Sequence, residues 1–183
     1  MSEKTVNAKA ALETYANEIN GWMASQLDAC TRCGLCAEAC HFYVSTGNPN
    51  YTPIWKAELL RRVYQQKFTP AGRLASALGL VRPITEENLR EWVEYDYFAC
   101  TMCNRCSQVC PMGIDIASLI HVAREGLAAA GLVPEDLMQA TNRQVEEGSP
   151  LGVTDDVFEE RLELFEDFLE DADYEGDIPI DKQ

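Results

Sequence analysis

Eight cysteines carry the chemistry open to this chain. Cys30, Cys33, Cys36 and Cys40 form a C-x2-C-x2-C-x3-C run. Cys100, Cys103, Cys106 and Cys110 repeat it, and the two runs use every cysteine in the 183 residues. A [4Fe–4S] cube takes one soft thiolate on each iron. Eight thiolates therefore saturate two cubes with none left over. No iron is then open to substrate, and the expected event is outer-sphere electron transfer, with bond-making left to a partner. Cysteines at i, i+3 and i+6 can wrap a tight loop around one cube. The fourth, at i+10, is expected on a short helix leaving that loop.

Other uses of the thiols fit less well. Disulfide frameworks belong to short secreted chains, and Met1-Ser2-Glu3-Lys4-Thr5 does not read as a secretory signal. Zinc uses C-x2-C as two pairs per ion, not as a triplet with a trailing fourth. A radical-type C-x3-C-x2-C site is not formed, because Tyr43 and Gly113 stand three residues after the last cysteine of each run. A zinc-stabilised interaction module and an enzyme acting at a modified cube are the alternatives from other functional classes.

The second run ends Cys110-Pro111 and so resembles the signature of bacterial two-cluster ferredoxins, in which the fourth cysteine ligates the other cube. That resemblance implies one cube on Cys30, Cys33, Cys36 and Cys110, and a second on Cys100, Cys103, Cys106 and Cys40. It would tie together segments separated by 59 residues. The alternative keeps Cys40 on its local cube.

Helices must position these loops, since clear period-2 strands are absent. Ala8, Leu12, Tyr15, Ile19, Trp22 and Met23 share one face of an amphipathic helix running into the first loop. Thr52-Pro53 opens a helix through about Gln66, and Thr69-Pro70 opens another that ends near Gly79. Thr85 starts the helix leading to Cys100. Asp115 caps a segment ending at Gly131, Pro134 begins one ending near Gly148, and Thr154 begins the last. On that last helix Val157, Phe158, Leu162, Leu164, Phe165, Phe168 and Leu169 make a wide apolar face, equally suited to core packing or to a partner. The organisation expected is an N-terminal amphipathic helix over 1–26, a di-cluster domain over 27–150, and an acidic helix and tail over 151–183. The fold class is mostly α.

The net charge of −15 is concentrated late: the stretch 155–183 has 13 acidic residues against Arg161 and Lys182, or −11. A pI near 4.4 argues against nucleic acid, which needs a basic footprint. Lys56, Arg61, Arg62, Lys67, Arg73 and Arg82 make the inter-motif segment locally basic, expected as a solvated face or a docking surface. No apolar run reaches the 18 residues of a membrane span, so the expectation is a cytoplasmic protein, or one held peripherally at the membrane through a complex. His41 and His121 are the only histidines, expected in a loop and on a helix. Tyr97, Phe98, Met102 and Met112 are expected to shield the second motif.

The runs Cys30-Thr31-Arg32-Cys33-Gly34-Leu35-Cys36 and Cys100-Thr101-Met102-Cys103-Asn104-Arg105-Cys106, with Pro111-Met112-Gly113-Ile114-Asp115-Ile116 entering a helix, resemble the α-helical ferredoxin family. Its members include the C subunit of heterodisulfide reductase, the N-terminal part of its D subunit, and related iron–sulfur subunits of sulfur-metabolism complexes. The resemblance covers about residues 25–150 and implies an α-helical ferredoxin with two [4Fe–4S]-binding loops. It implies a relay between a flavin, haem or quinone-linked donor subunit and a cysteine-rich module with CCG motifs acting on thiols and disulfides. No CCG occurs here, so that module would be a separate subunit or a later part of a longer chain, toward which Gly176–Gln183 is expected to lead. An electron-transfer subunit of a quinone-linked dehydrogenase is the runner-up. His41 follows Cys40 where many relatives have proline.

Overall fold

The computed structural model describes residues 5–173, and the 176–183 segment expected to lead onward lies outside them. Among the described residues every regular element is helical. Helix α1 spans Ala8–Glu18 and α2 spans Gly21–Ala29. The single amphipathic helix expected here is therefore two. The chain breaks at Ile19-Asn20, where the Asn20 side chain accepts from the Met23 N–H, 2.9 Å, and starts the second helix. Ala11, Tyr15, Ile19, Met23 and Leu27 face the core across this break, while Trp22 is turned out.

Two four-residue helices, α3 (Leu35–Glu38) and α9 (Arg105–Gln108), follow equivalent points of the two cysteine loops and pack against each other. After α4 (His41–Thr46) and a 3-10 turn at Pro49–Tyr51, the helix expected from Pro53 to Gln66 is divided. Pro53–Lys56 forms α5 and Glu58–Phe68 forms α6. The N-caps expected at Thr69, Thr85 and Asp115 all hold hydrogen bonds. They open α7 (Pro70–Ala77), α8 (Glu86–Val93) and α10 (Ile116–Ala129). Thr85 does so as a reciprocal box with Asn88, each side chain accepting from the other's N–H. Helix α8 runs on into a π turn, Glu94–Phe98, just before Cys100.

The chain divides into two compact units, 1–133 and 134–183. In the first, α1 lies along α10, with Tyr15, Leu59, Leu89, Trp92, Leu119, Ile120 and Leu127 fully buried between the helices. Gly126 permits that approach. A Cβ at this position would lie 2.0 Å from Cε1 of Tyr15, whose hydroxyl donates to the Ala123 carbonyl at 3.0 Å. In the second unit, α11 spans Glu135–Glu147 and α12 spans Asp155–Asp171, and neither buries a residue. Phe158, Phe165 and Phe168 of α12 are all more than half exposed, so the apolar stripe is not core packing among the described residues.

Candidate cluster-binding site

Both cysteine loops follow the same backbone path. Arg32 and Met102, each just before the second cysteine of its run, are left-handed with φ of 57° and 56°. Gly34 and Asn104, just after that cysteine, are left-handed as well, with φ of 84° and 61°. Glycine adopts this region freely and asparagine more readily than most residues. Two such reversals flanking one cysteine curl the loop so that three thiols turn inward. The short helix then sets the third cysteine, and the chain turns again where the Cys40 N–H donates to the Ala37 carbonyl and the Cys110 N–H to the Ser107 carbonyl. The fourth cysteine was expected on that helix; it lies two residues beyond its end in both runs.

The loops and their neighbours enclose two recesses of similar size, about 330 and 380 Å³ including space open to solvent. Cys30, Cys33, Cys36 and Cys110 line the first, with Ile54, Ile114 and Ile116 behind them. Cys40, Cys100, Cys103 and Cys106 line the second, with Phe42, Pro53, Lys56, Ala117 and Ile120. Each recess thus gathers three thiols from one run and the last thiol of the other. All eight cysteines are free of disulfides. Among the described residues no three His, Cys, Asp or Glu side chains are gathered as for a single metal ion. Four soft donors spread around a recess of this size suit a multi-iron group.

The electrostatics also ask for cationic metal. Burial pushes the Cys36 thiol up, a backbone hydrogen bond from Ile54 opposes this, and Cys30, Cys110 and Cys33 add to the rise. Burial likewise pushes Cys106 up to about 11, aided by Cys100. Four thiolates in one partly dry recess would repel one another, and a bound iron–sulfur group would supply the positive charge that offsets this when it displaces their protons. Cys33 and Cys103 are the exposed member of each set, so each recess reaches solvent at the second cysteine of its loop.

The segment between the runs supplies walls that the sequence did not reveal. Helix α5 places Ile54 in one recess, and Pro53 and Lys56 in the other. Lys56 was expected on a solvated or docking face; it is 1 % exposed. Its ammonium donates to the Ala99 carbonyl and to Cys40 Sγ, the latter at 3.9 Å, and lies 5.5 Å from the centre of the Phe42 ring. The Cys40 thiol in turn donates to the Tyr51 carbonyl at 3.7 Å. Arg124 donates to the carbonyls of Asp96 and Cys100. The carboxylate oxygens of Asp96 are buried without a hydrogen-bond partner. Burial pushes the Asp96 carboxyl well up, against the pull of Arg124 and Lys56. A proline-opened helix was legible here, but not that its last residue points inward.

Other expected residues are spread more widely. Met102 lines one recess and Met112 the other, whereas Phe98 is 59 % exposed and covers little. Tyr97 donates to the Arg124 carbonyl at 3.2 Å. His41 is at the rim of the second recess, and His121 pairs on the surface with Glu125 at 3.2 Å. No helix among the described residues is long and apolar enough to cross a membrane.

Comparison with known proteins agrees with the thiol geometry. Residues 26–114 match a family described as a 4Fe–4S dicluster domain. Over 127 residues the chain is 39% identical to the second iron-sulfur subunit of the Hdr-like menaquinol oxidoreductase of Archaeoglobus fulgidus, covering 69% of this chain and 23% of that protein. It is 32% identical over 110 residues to the D subunit of the dihydromethanophenazine:CoB--CoM heterodisulfide reductase of Methanosarcina acetivorans, covering 60% and 26%. A probable glycolate oxidase iron-sulfur subunit of Bacillus subtilis is 28% identical over 96 residues, covering 52% and 18%. The chain thus spans about a quarter or less of the length of these relatives. No solved structure matches it significantly. Two loops that curl alike, eight free thiols and this match identify residues 26–114 as a 4Fe–4S dicluster domain carrying two [4Fe–4S] clusters, similar to part of the D subunit of heterodisulfide reductase.

Proposed function

We propose that this chain relays single electrons between a redox donor subunit and a heterodisulfide-reductase-like module that makes or breaks sulfur–sulfur bonds. One cube would be held by Cys30, Cys33, Cys36 and Cys110, and the other by Cys100, Cys103, Cys106 and Cys40. The clusters supply outer-sphere electron transfer, and the chain's residues do the rest. Eight cysteines fix the metal, α5 and α10 give walls to both recesses, and Ile54, Ile116 and Ile120 restrict water. The observation that carries this reading is the gathering of four thiols around each recess, one always from the distant run. With all eight thiols used, no cysteine remains for catalysis, so bond chemistry belongs to a cysteine-rich, CCG-bearing subunit or domain.

The relatives' names support a reading of the donor class. A menaquinol oxidoreductase and a glycolate oxidase contribute the names of two of them, which favours a quinone-, haem- or flavin-linked donor and a complex held peripherally at the cytoplasmic membrane face. An electron-transfer subunit of a quinone-linked dehydrogenase is the second reading.

The test is anaerobic purification with iron and sulfide analysis, followed by EPR of Cys33→Ser and Cys40→Ser. About eight irons per chain are expected. Cys33→Ser should damage one cube and Cys40→Ser the cube held by the other run. Stoichiometric zinc would end the relay reading. Two variants that damage the same cube would return Cys40 to its own loop.

A further inference from the structure

The two recesses are alike in thiols but unlike in charge. The second has a fully buried ammonium in its wall, at hydrogen-bonding distance from a cysteine sulfur. The first has no buried cation: its one charged lining residue, Arg32, is about half exposed and paired with Glu58. Arg105 at the rim of the second recess is likewise exposed, and water screens its charge, so it does not create the difference. Lys56 does. It is fixed rather than mobile, because it donates to the Ala99 carbonyl, lies over Phe42, and has its own carbonyl bonded by Trp92 Nε1 at 3.0 Å.

A buried positive charge favours whichever state of its neighbour is more negative, and low surrounding dielectric magnifies this. Adding an electron makes an iron–sulfur group more negative. Hydrogen bonds to its sulfurs act in the same direction, and both are recognised controls on cluster potential. The acidic group that interacts with Lys56 and Arg124 is Asp96, whose carboxyl burial drives toward the neutral form. Arg124, donating to the Cys100 carbonyl, adds a second cation on the same side. The balance around the second recess is positive.

We propose that Lys56 sets the two clusters apart in potential, so that the cluster held by Cys40, Cys100, Cys103 and Cys106 is reduced before the cluster held by Cys30, Cys33, Cys36 and Cys110. This rests on the two-cube ligand sets above. It gives the relay a downhill direction: electrons collect at the second loop, whose exposed cysteine is Cys103, and that side faces the acceptor. Lys56 acts through the sulfur it touches and is a tuning residue, not a catalytic one.

The experiment is an anaerobic redox titration followed by EPR on the wild type, Lys56→Met and Lys56→Gln. Methionine fills the buried stem without charge, and glutamine can keep the bond to the Ala99 carbonyl. Iron analysis of each protein confirms that both cubes are present. In the wild type two reduction waves are expected. In both variants the upper wave should fall toward the lower by at least tenfold in electron partition, about 59 mV for one electron, while the lower wave stays in place. Two intact cubes with an unchanged gap, or with both waves moved equally, would overturn the role of Lys56 and leave the two-cube reading standing. A wild type without two cubes would overturn both. If methionine fails to assemble, glutamine decides the question on the same criterion.

Discussion

Replacing Gly126 by alanine should destabilise the cluster domain even though it improves helix propensity. Glycine inside a helix costs about 1 kcal/mol relative to alanine, so an exposed Gly→Ala change would be expected to stabilise α10. Here the added methyl would lie 2.0 Å from Cε1 and 2.3 Å from Cζ of Tyr15. Carbon atoms settle at about 3.5–4.0 Å, so the ring or a helix must move by more than an ångström. The ring has nowhere to go: Tyr15 is 0 % exposed and its hydroxyl is held by the Ala123 carbonyl. Overpacking of this kind costs about 1–3 kcal/mol, and a collision with a pinned ring belongs at or above the top of that range. After the propensity gain, a net loss of about 2 kcal/mol remains. The assay is anaerobic urea unfolding of the cluster-loaded protein, read by the midpoint at constant slope. Tyr15→Leu should restore room, so the double variant should be more stable than the two single losses summed, by about 1 kcal/mol or more. A Gly126→Ala protein at least as stable as the parent, or strictly additive losses, would refute the packing argument. The consequence reaches the clusters, because α10 also carries Ile116, Ala117 and Ile120 into the recess walls.

Two further outcomes test the loops and their supports. Gly34→Ala should cost about 1 kcal/mol, because the residue sits at φ 84°, and should speed loss of iron from the first recess; Asn104→Gly at the matching position should do neither, and bleaching of cluster absorbance under chelator measures both. Asp115→Asn tests the cap of α10: burial raises this carboxyl, but bonds from the Ser118 hydroxyl and N–H and from Ser107 outweigh it and hold it low. A lowered carboxyl contributes stability above its ordinary value near 3.9 that is lost as pH falls through the folded value. The asparagine variant should therefore be less stable by about 0.5 kcal/mol at neutral pH, the worth of charge at a helix N-terminus. That gap should close in acid, as thermal unfolding across pH would report.

Much of the site was legible in the sequence because its signal is local. Cysteine spacing is a one-dimensional property, whereas the left-handed turns at Gly34 and Asn104 show only in the backbone. Capping was legible for the same reason: Thr69, Thr85 and Asp115 each bond a backbone group within three residues. What escaped was set by packing. Asn20 splits the first helix because Met23 and Leu27 must reach the core on a face that a continuous helix would rotate away. Ala57 divides Pro53–Phe68 for a similar reason, letting Ile54 and Lys56 face the thiols while Leu59, Leu60 and Val63 fill the core. Lys56 was the sharpest case. Lysine is almost never fully buried without a partner, and its partners, the Ala99 carbonyl and Cys40 Sγ, lie 43 and 16 residues away. Nothing local announces such a contact.

Helices α5 and α10 serve both the fold and the walls of the two recesses. Helix α5 meets both recesses with three of its four residues, and α10 does so along its first turns. With the fourth cysteine of each run crossing to the other recess, neither loop can close alone. Losing a thiol at Cys110 would loosen the first loop's recess although the residue belongs to the second run. Folding and metal loading would then be one cooperative event, since metal binding, thiol deprotonation and chain closure share a free energy. One contiguous core gathers around Tyr15, Trp92 and Leu119, and the clusters would act as staples that add to it.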